Sequence, residues 1–169
     1  MTRDAATASP STEDLQSLIA RVTARERRAV SEAVTELERL SPRAPALLQA
    51  LQPHLGHALV AGFTGPPGAG KSTLVNAVIR ELRAAGKTVA VIAVDPSSPI
   101  SGGAILGDRI RMTAALDDDG VFVRSLASRG YLGGLSPAAV RVIDAFDAAG
   151  FDIILLETVG TGQNEIDVA

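Results

Sequence analysis

Residues Gly65 to Ser72 read GPPGAGKS and fit the pattern G-x-x-x-x-G-K-S/T. Gly65, Gly68 and Gly70 let the backbone approach an anion closely, Lys71 supplies a point charge, and a hydroxyl follows at the start of a helical run. That combination is suited to holding a phosphate chain. Pro66 and Pro67 have no N–H, so the donating amides are expected from Gly68 through Ala69, Gly70, Lys71 and Ser72 to Thr73, reinforced by the positive end of a helix. Lys71 is expected to reach the β and γ oxygens, and the Ser72 hydroxyl to ligate Mg²⁺.

A magnesium ion carried by a nucleotide needs further oxygen ligands from elements beside the loop, normally at the carboxyl ends of parallel strands. Asp95 ends the run KTVAVIAVD and Glu157 ends FDIILLET; Asp108 lies in ILGDRIRM. Glu157 stands where an aspartate is common, so contact through water is an alternative to direct ligation. A strand-end cap or turn role is the bland reading of Asp95 and Glu157, and a helix N-cap before Arg109 accounts for Asp108 equally well. The stretches 96–107 and 158–165 are expected to act as loops ordered by the γ-phosphate, with Gln163 able to orient water. Lys71, Glu157 and Gln163 are thus the candidate catalytic set.

The elements that must position these residues are visible as short apolar runs alternating with helical ones. ALVAGFT, KTVAVIAVD, VFVRSLA and FDIILLET read as strands buried on both faces; Lys71–Ala85, about Asp108–Leu116 and Ser136–Ala149 read as helices. Strands alternating with helices imply parallel pairing and a three-layer α/β fold. Ahead of them, Leu15, Leu18, Ile19 and Val22, then Val30, Val34 and Leu37, recur at helical spacing, SPRAP interrupts, and ALLQALQPHLGHAL supplies another short helix. The expected division is a tail and helical arm over 1–57 and a phosphate-loop domain over 58–169.

Composition narrows the classes. The chain has 169 residues, 46% hydrophobic and 21% charged, a net charge of −3 and no cysteine. No general field favours nucleic acid or anionic lipid, and disulfides and thiolate metal sites are excluded. No apolar run reaches the roughly 18 residues of a membrane span, and a cytoplasmic location is the default expectation.

The motifs together are more specific than a phosphate loop alone. GFTGPPGAGKSTL, VAVIAVDPSSPISGGAILGDRIRM, FVRSLASRGYLGGLS and FDIILLETVGTGQNE resemble, in order, the blocks of the MeaB/ArgK/MMAA family of GTPases. The resemblance covers essentially the whole chain. It implies binding of GTP or GDP with Mg²⁺, slow hydrolysis, and a chaperone role toward adenosylcobalamin-dependent methylmalonyl-CoA mutase or a related cobalamin-dependent acyl-CoA mutase. It places Ser72, Asp95, Asp108 and Glu157 around the magnesium, Asp108 in a first switch and ETVGTGQNE as a second. It also implies a homodimer for full-length members, and neither nucleic-acid nor membrane partners. The chain ends at Ala169, short of the guanine-reading N-K-x-D motif and dimerisation helices that the resemblance implies, so an incomplete domain is expected. The residues present ask for a triphosphate; guanine selectivity comes from the resemblance. The edge of the phosphate-loop strand is expected to be open, which favours instability.

Other functions fit fewer residues. An ATP-dependent small-molecule kinase would need an acceptor base that is not visible, and a non-catalytic nucleotide-binding fragment remains the alternative from another class. His54 and His57 suit a helix end or exposed role better than a metal pair, and DDD at 117–119 suits a turn. RVTARERR reads as a solvated helix face. Arg124 and Arg129 are placed beyond the carboxyl end of a strand, for phosphate or partner contact or for pairing with nearby carboxylates.

Overall fold

Four β-branched, apolar runs bounded by glycine and proline become four parallel strands: β1 (Leu59–Phe63), β2 (Val89–Asp95), β3 (Val121–Ala127) and β4 (Ile153–Thr158). They lie in the order β1-β4-β2-β3. The computed structural model describes residues 12–66, 68–95, 118–127 and 135–158, excluding the side chains at 12, 13 and 95. The helices are α1 (Thr12–Thr23), α2 (Arg27–Arg39), α3 (Ala44–Leu51), α4 (Lys71–Ala84) and α5 (Pro137–Ala148), with a short 3₁₀ turn at Gln52–His54. The expected helix near 108–116 lies outside the described residues.

β2, β3 and β4 are largely buried because each face of the sheet has its own helical cover, whereas β1, expected to be buried on both faces, has Leu59, Val60 and Gly62 exposed. Val75 and Ile79 of α4 pack on Val89, Val91, Val123 and Leu155. On the other face, α1, α2, α3 and α5 share one continuous cluster with Ile92, Leu126, Ile154 and Leu156. The helices within 12–57 therefore contribute a layer over the sheet. Helix α5 starts where Ser136 accepts the Ala139 amide at 3.1 Å, with Pro137 at its first position.

RVTARERR, read from sequence as a solvated face, does more than that. At the α1–α2 turn the Arg25 guanidinium sits 5.1 Å from the Phe151 ring and donates to the Ala149 carbonyl at 3.2 Å and to that of Gly150. Arg27 sits 5.1 Å from the Phe122 ring and donates to Val121 at 3.0 Å. Both rings pack on Phe146, with centroids 5.2 and 5.7 Å away. Each arginine thus adds a cation–π contact and a backbone bond at the arm–sheet junction. Arg21, paired with Glu26 at 2.8 Å, and the exposed Arg28 keep the solvated role.

Two aspartates fasten the starts of strands. Asp147 near the end of α5 accepts from the amides of Gly56, His57 and Ala58 at 2.5, 3.0 and 2.8 Å, fixing the approach to β1. Burial pushes its carboxyl up, but the three amides outweigh this and its pKa is lowered. Asp152 accepts from the Thr88 amide at 2.8 Å and hydroxyl at 2.7 Å, aligning β2 with β4. Asp118 accepts from Arg83 and the Gly120 amide, the turn role expected of the acidic run. β1 pairs only with β4 among the described residues, and Leu59 and Val60 are 64% and 46% exposed, so its outer edge is open as expected.

Donation from the Thr88 amide and hydroxyl, with Lys87 adding to it, lowers the Asp152 pKa from 3.8 to about 2. A depressed carboxylate contributes stability that is fully present above its unfolded value and lost as pH falls through the folded one. Denaturant unfolding should therefore show the parent losing more stability than Asp152→Asn between about pH 4 and pH 2. Parallel pH profiles for the two would contradict this role.

Candidate functional site

The phosphate loop hangs between the end of β1 and the start of α4. Gly70 takes φ 84° as the residue capping α4, and Gly68 takes φ 79°; nothing lies within 4 Å of a Cβ at either, so conformation rather than space demands glycine. Gly68, Ala69, Gly70 and Thr73 are exposed, which leaves this stretch open to an incoming anion. The Ala69 amide donates to the Pro66 carbonyl at 3.2 Å, closing the turn. Lys71 Nζ donates to the carbonyls of Gly65 at 2.6 Å and Pro66 at 3.0 Å, so its charge lies across the mouth of the loop.

Ser72, in the first turn at the positive end of α4, donates its hydroxyl to Glu157 Oε1 at 2.5 Å. The register Phe63↔Glu157 between β1 and β4 makes this possible, because it sets the carboxylate level with the start of the loop. Glu157 is only 6% exposed, and its Oε2 is buried without a hydrogen-bond partner among the described residues. An ionised oxygen in that situation costs free energy unless a cation or donor meets it. A hydroxyl and a carboxylate with one unfilled oxygen form a hard-donor pair that fits magnesium.

The structure brings Ser72 and Glu157 into contact, with Lys71 next to Ser72 and its ammonium on the Gly65 and Pro66 carbonyls. Asp95 ends β2, whose neighbour β4 carries Glu157, so its backbone reaches the same edge of the sheet. Pro67, Asp108 and Gln163 lie outside the described residues, as does Arg129. Arg124 is corrected: it lies inside β3, not beyond it, and donates to Glu38 at 2.5 Å and Thr35 at 3.3 Å of α2. Pairing with a nearby carboxylate is the role that the structure supports. His54 lines a groove of about 610 Å³ between α1 and α3, away from the loop. No group of three metal-ligating side chains is present among the described residues. Thr158, expected from the sequence to open the second γ-phosphate-ordered loop, is instead the last residue of β4; it is 1% exposed and its hydroxyl lies 3.4 Å from the Phe63 carbonyl, on the face opposite Glu157 by strand alternation.

A parallel sheet carrying a strand–GPPGAGKS–helix unit and a strand-end carboxylate on the loop serine defines a P-loop nucleotide-binding α/β protein. The family model described as methylmalonyl Co-A mutase-associated GTPase MeaB matches residues 28–169, and the chain belongs to that family. GTPase ArgK of Escherichia coli is 46% identical over 148 residues, 85% of this chain and 45% of its own. A Pyrococcus horikoshii relative, also designated a GTPase, is 50% identical over 154 residues, covering 91% and 49%. The mouse methylmalonic aciduria type A homolog, mitochondrial, is 44% identical over 108 residues, covering 64% and 26%. Among solved structures, that of a LAO/AO transport system kinase superposes with a TM-score of 0.73 at 35% identity, covering 95% of this chain and 48% of that one. The chain spans about half the length of the first curated relatives it matches. No helix among the described residues is long and apolar enough to cross a membrane.

If Glu157 serves binding rather than folding, Glu157→Gln should leave the nucleotide-free melting temperature unchanged or raise it, since the amide still accepts from Ser72 while the unpaired charge is removed. A fall of several degrees, equivalent to about 1 kcal/mol or more, would contradict that division of labour.

Proposed function

We propose that the chain carries the phosphate- and magnesium-binding half of a GTP-hydrolysing switch acting on adenosylcobalamin-dependent methylmalonyl-CoA mutase or a related cobalamin-dependent acyl-CoA mutase, as a chaperone that loads or protects the cofactor. The observation that carries the nucleotide reading is the buried Ser72–Glu157 pair with its unfilled oxygen, placed beside Lys71 at the mouth of the loop. The partner and the base rest on the family and its name.

Each side chain has a defined task in this reading. Lys71 exchanges two neutral carbonyl acceptors for β and γ oxygens, and charge-assisted bonds of that kind are roughly twice as strong as neutral ones. The amides from Gly68 to Thr73 wrap the phosphates, Thr73 at the positive end of α4. Ser72, through its hydroxyl oxygen, and Glu157, directly or through a water, would hold the magnesium. Bound magnesium supplies charge neutralisation for the developing phosphate charge. Asp95 and Asp108 complete the neighbourhood of the ion, and Gln163 orients the attacking water. Hydrolysis then changes the order of the segments at 96–107 and 159–165, the second beginning after Thr158 at the end of β4, and with it the affinity for the mutase. The relatives' GTPase designations favour this reading over the small-molecule kinase.

Calorimetric titration with GTP, GDP and ATP in the presence of Mg²⁺ separates base from phosphate. Guanine nucleotides should bind, and Lys71→Ala should weaken GTP at least about tenfold while leaving the fold intact. Equal weak binding of GTP and ATP would contradict guanine selectivity in this chain. A mutase that associates equally with and without nucleotide would contradict the partner role.

A further inference from the structure

We infer that Thr158 is a positioning residue for the nucleotide site, holding the exit of β1 against the end of β4 so that Glu157 meets Ser72 in register for a divalent cation. This rests on the magnesium–nucleotide reading of the site. Glu157 and Thr158 are consecutive and point to opposite faces of β4. Glu157 reaches the side covered by α4 and takes the hydroxyl of Ser72, at the helix end of the phosphate loop. Thr158, on the side of Ile154 and Leu156, directs its hydroxyl at the carbonyl of Phe63, the last residue of β1 and the strand end of the same loop. Two adjacent residues of one strand thus grip the loop at both ends.

The surroundings make the hydroxyl informative. Thr158 is 1% exposed and shares its face of β4 with apolar side chains. A buried hydroxyl costs free energy without an acceptor, whereas valine fills the same space without a polar atom. At 3.4 Å the contact is long for a hydroxyl bond, so its contribution to global stability is small. Its geometric effect is larger, because Gly65, two residues past Phe63, offers its carbonyl to Lys71 at 2.6 Å. A shift of Phe63 therefore displaces the resting place of the lysine and the distance between Ser72 and Glu157 together. Magnesium demands near-ideal octahedral placement of its ligands, and loss of groups that hold the ligands in place without touching the metal typically lowers metal affinity about tenfold or more; Thr158 acts one step further out, through the backbone of Phe63.

The test compares the parent with Thr158→Val and Thr158→Ser, using a fluorescent GTP analogue to read nucleotide binding as Mg²⁺ is titrated, with the nucleotide-free melting temperature of each chain as the stability control. Thr158→Val should raise the Mg²⁺ concentration for half-maximal enhancement of binding about tenfold, with little change in melting temperature. Thr158→Ser should stay within about twofold of the parent, because it keeps the donor. An unchanged magnesium midpoint in Thr158→Val overturns the inference, as does an equal shift in Thr158→Ser, which would assign the effect to the lost methyl packing. If the parent itself shows no magnesium-dependent GTP binding, the reading of the site fails and this inference fails with it.

Discussion

Parallel pairing of β1 with β4, in the register that sets Phe63 opposite Glu157, is the constraint on which the site depends. Side chains in a strand alternate with a period of two, so a slip of one residue would turn Glu157 away from α4 and place Leu156 or Thr158 beside Ser72. The register is held by burial on both faces, with Leu155 packed under α4 and Ile154 and Leu156 under the opposite helices. Asp152 fixes the same strand at its start through Thr88. A carboxylate that must be placed to within a hydrogen-bond length is thus secured by hydrophobic burial along the strand rather than by interactions of its own.

Stability and binding are separated in this arrangement. The aspartates that fasten strands are satisfied: Asp147 by three amides and Asp152 by an amide and a hydroxyl. Glu157 is left with one buried oxygen unpaired among the described residues, and the Lys71 ammonium rests on neutral carbonyls that phosphate oxygens would replace. Unfilled polar capacity costs a folded chain free energy and is tolerated where a ligand completes it.

Much of the fold was legible because its signals are local. The β-branched runs gave four strands, and α4 and α5 fell within about a residue of their expected ends, since a glycine-rich loop and a Ser-Pro cap announce them. Lys71, Ser72 and Glu157 were legible because the loop pattern and the strand-end position are sequence features. The fasteners were not: Arg25 meets Gly150 and Asp147 meets Gly56 across long stretches of chain, and nothing beside them in sequence marks the partner. Arg124 falls within VFVRSLA, a run that itself reads as a strand, so placing it beyond a strand end conflicts with that reading; its partners Glu38 and Thr35, on a helix far upstream, were not legible. Thr158 was assigned to the loop after β4 because the glycines that follow it mark a loop; its place at the strand end and its acceptor appear only once β1 and β4 are side by side.

The central claim is that Ser72 and Glu157 form a magnesium site which matters only when nucleotide is bound. Its most direct measurement is the affinity for GTP with Mg²⁺ and with a chelator, in the parent and in Ser72→Ala. The account predicts that Mg²⁺ strengthens GTP binding in the parent and that this gain largely disappears in Ser72→Ala, while the magnesium-free affinities stay close. An undiminished gain in Ser72→Ala, or none in the parent, would contradict it.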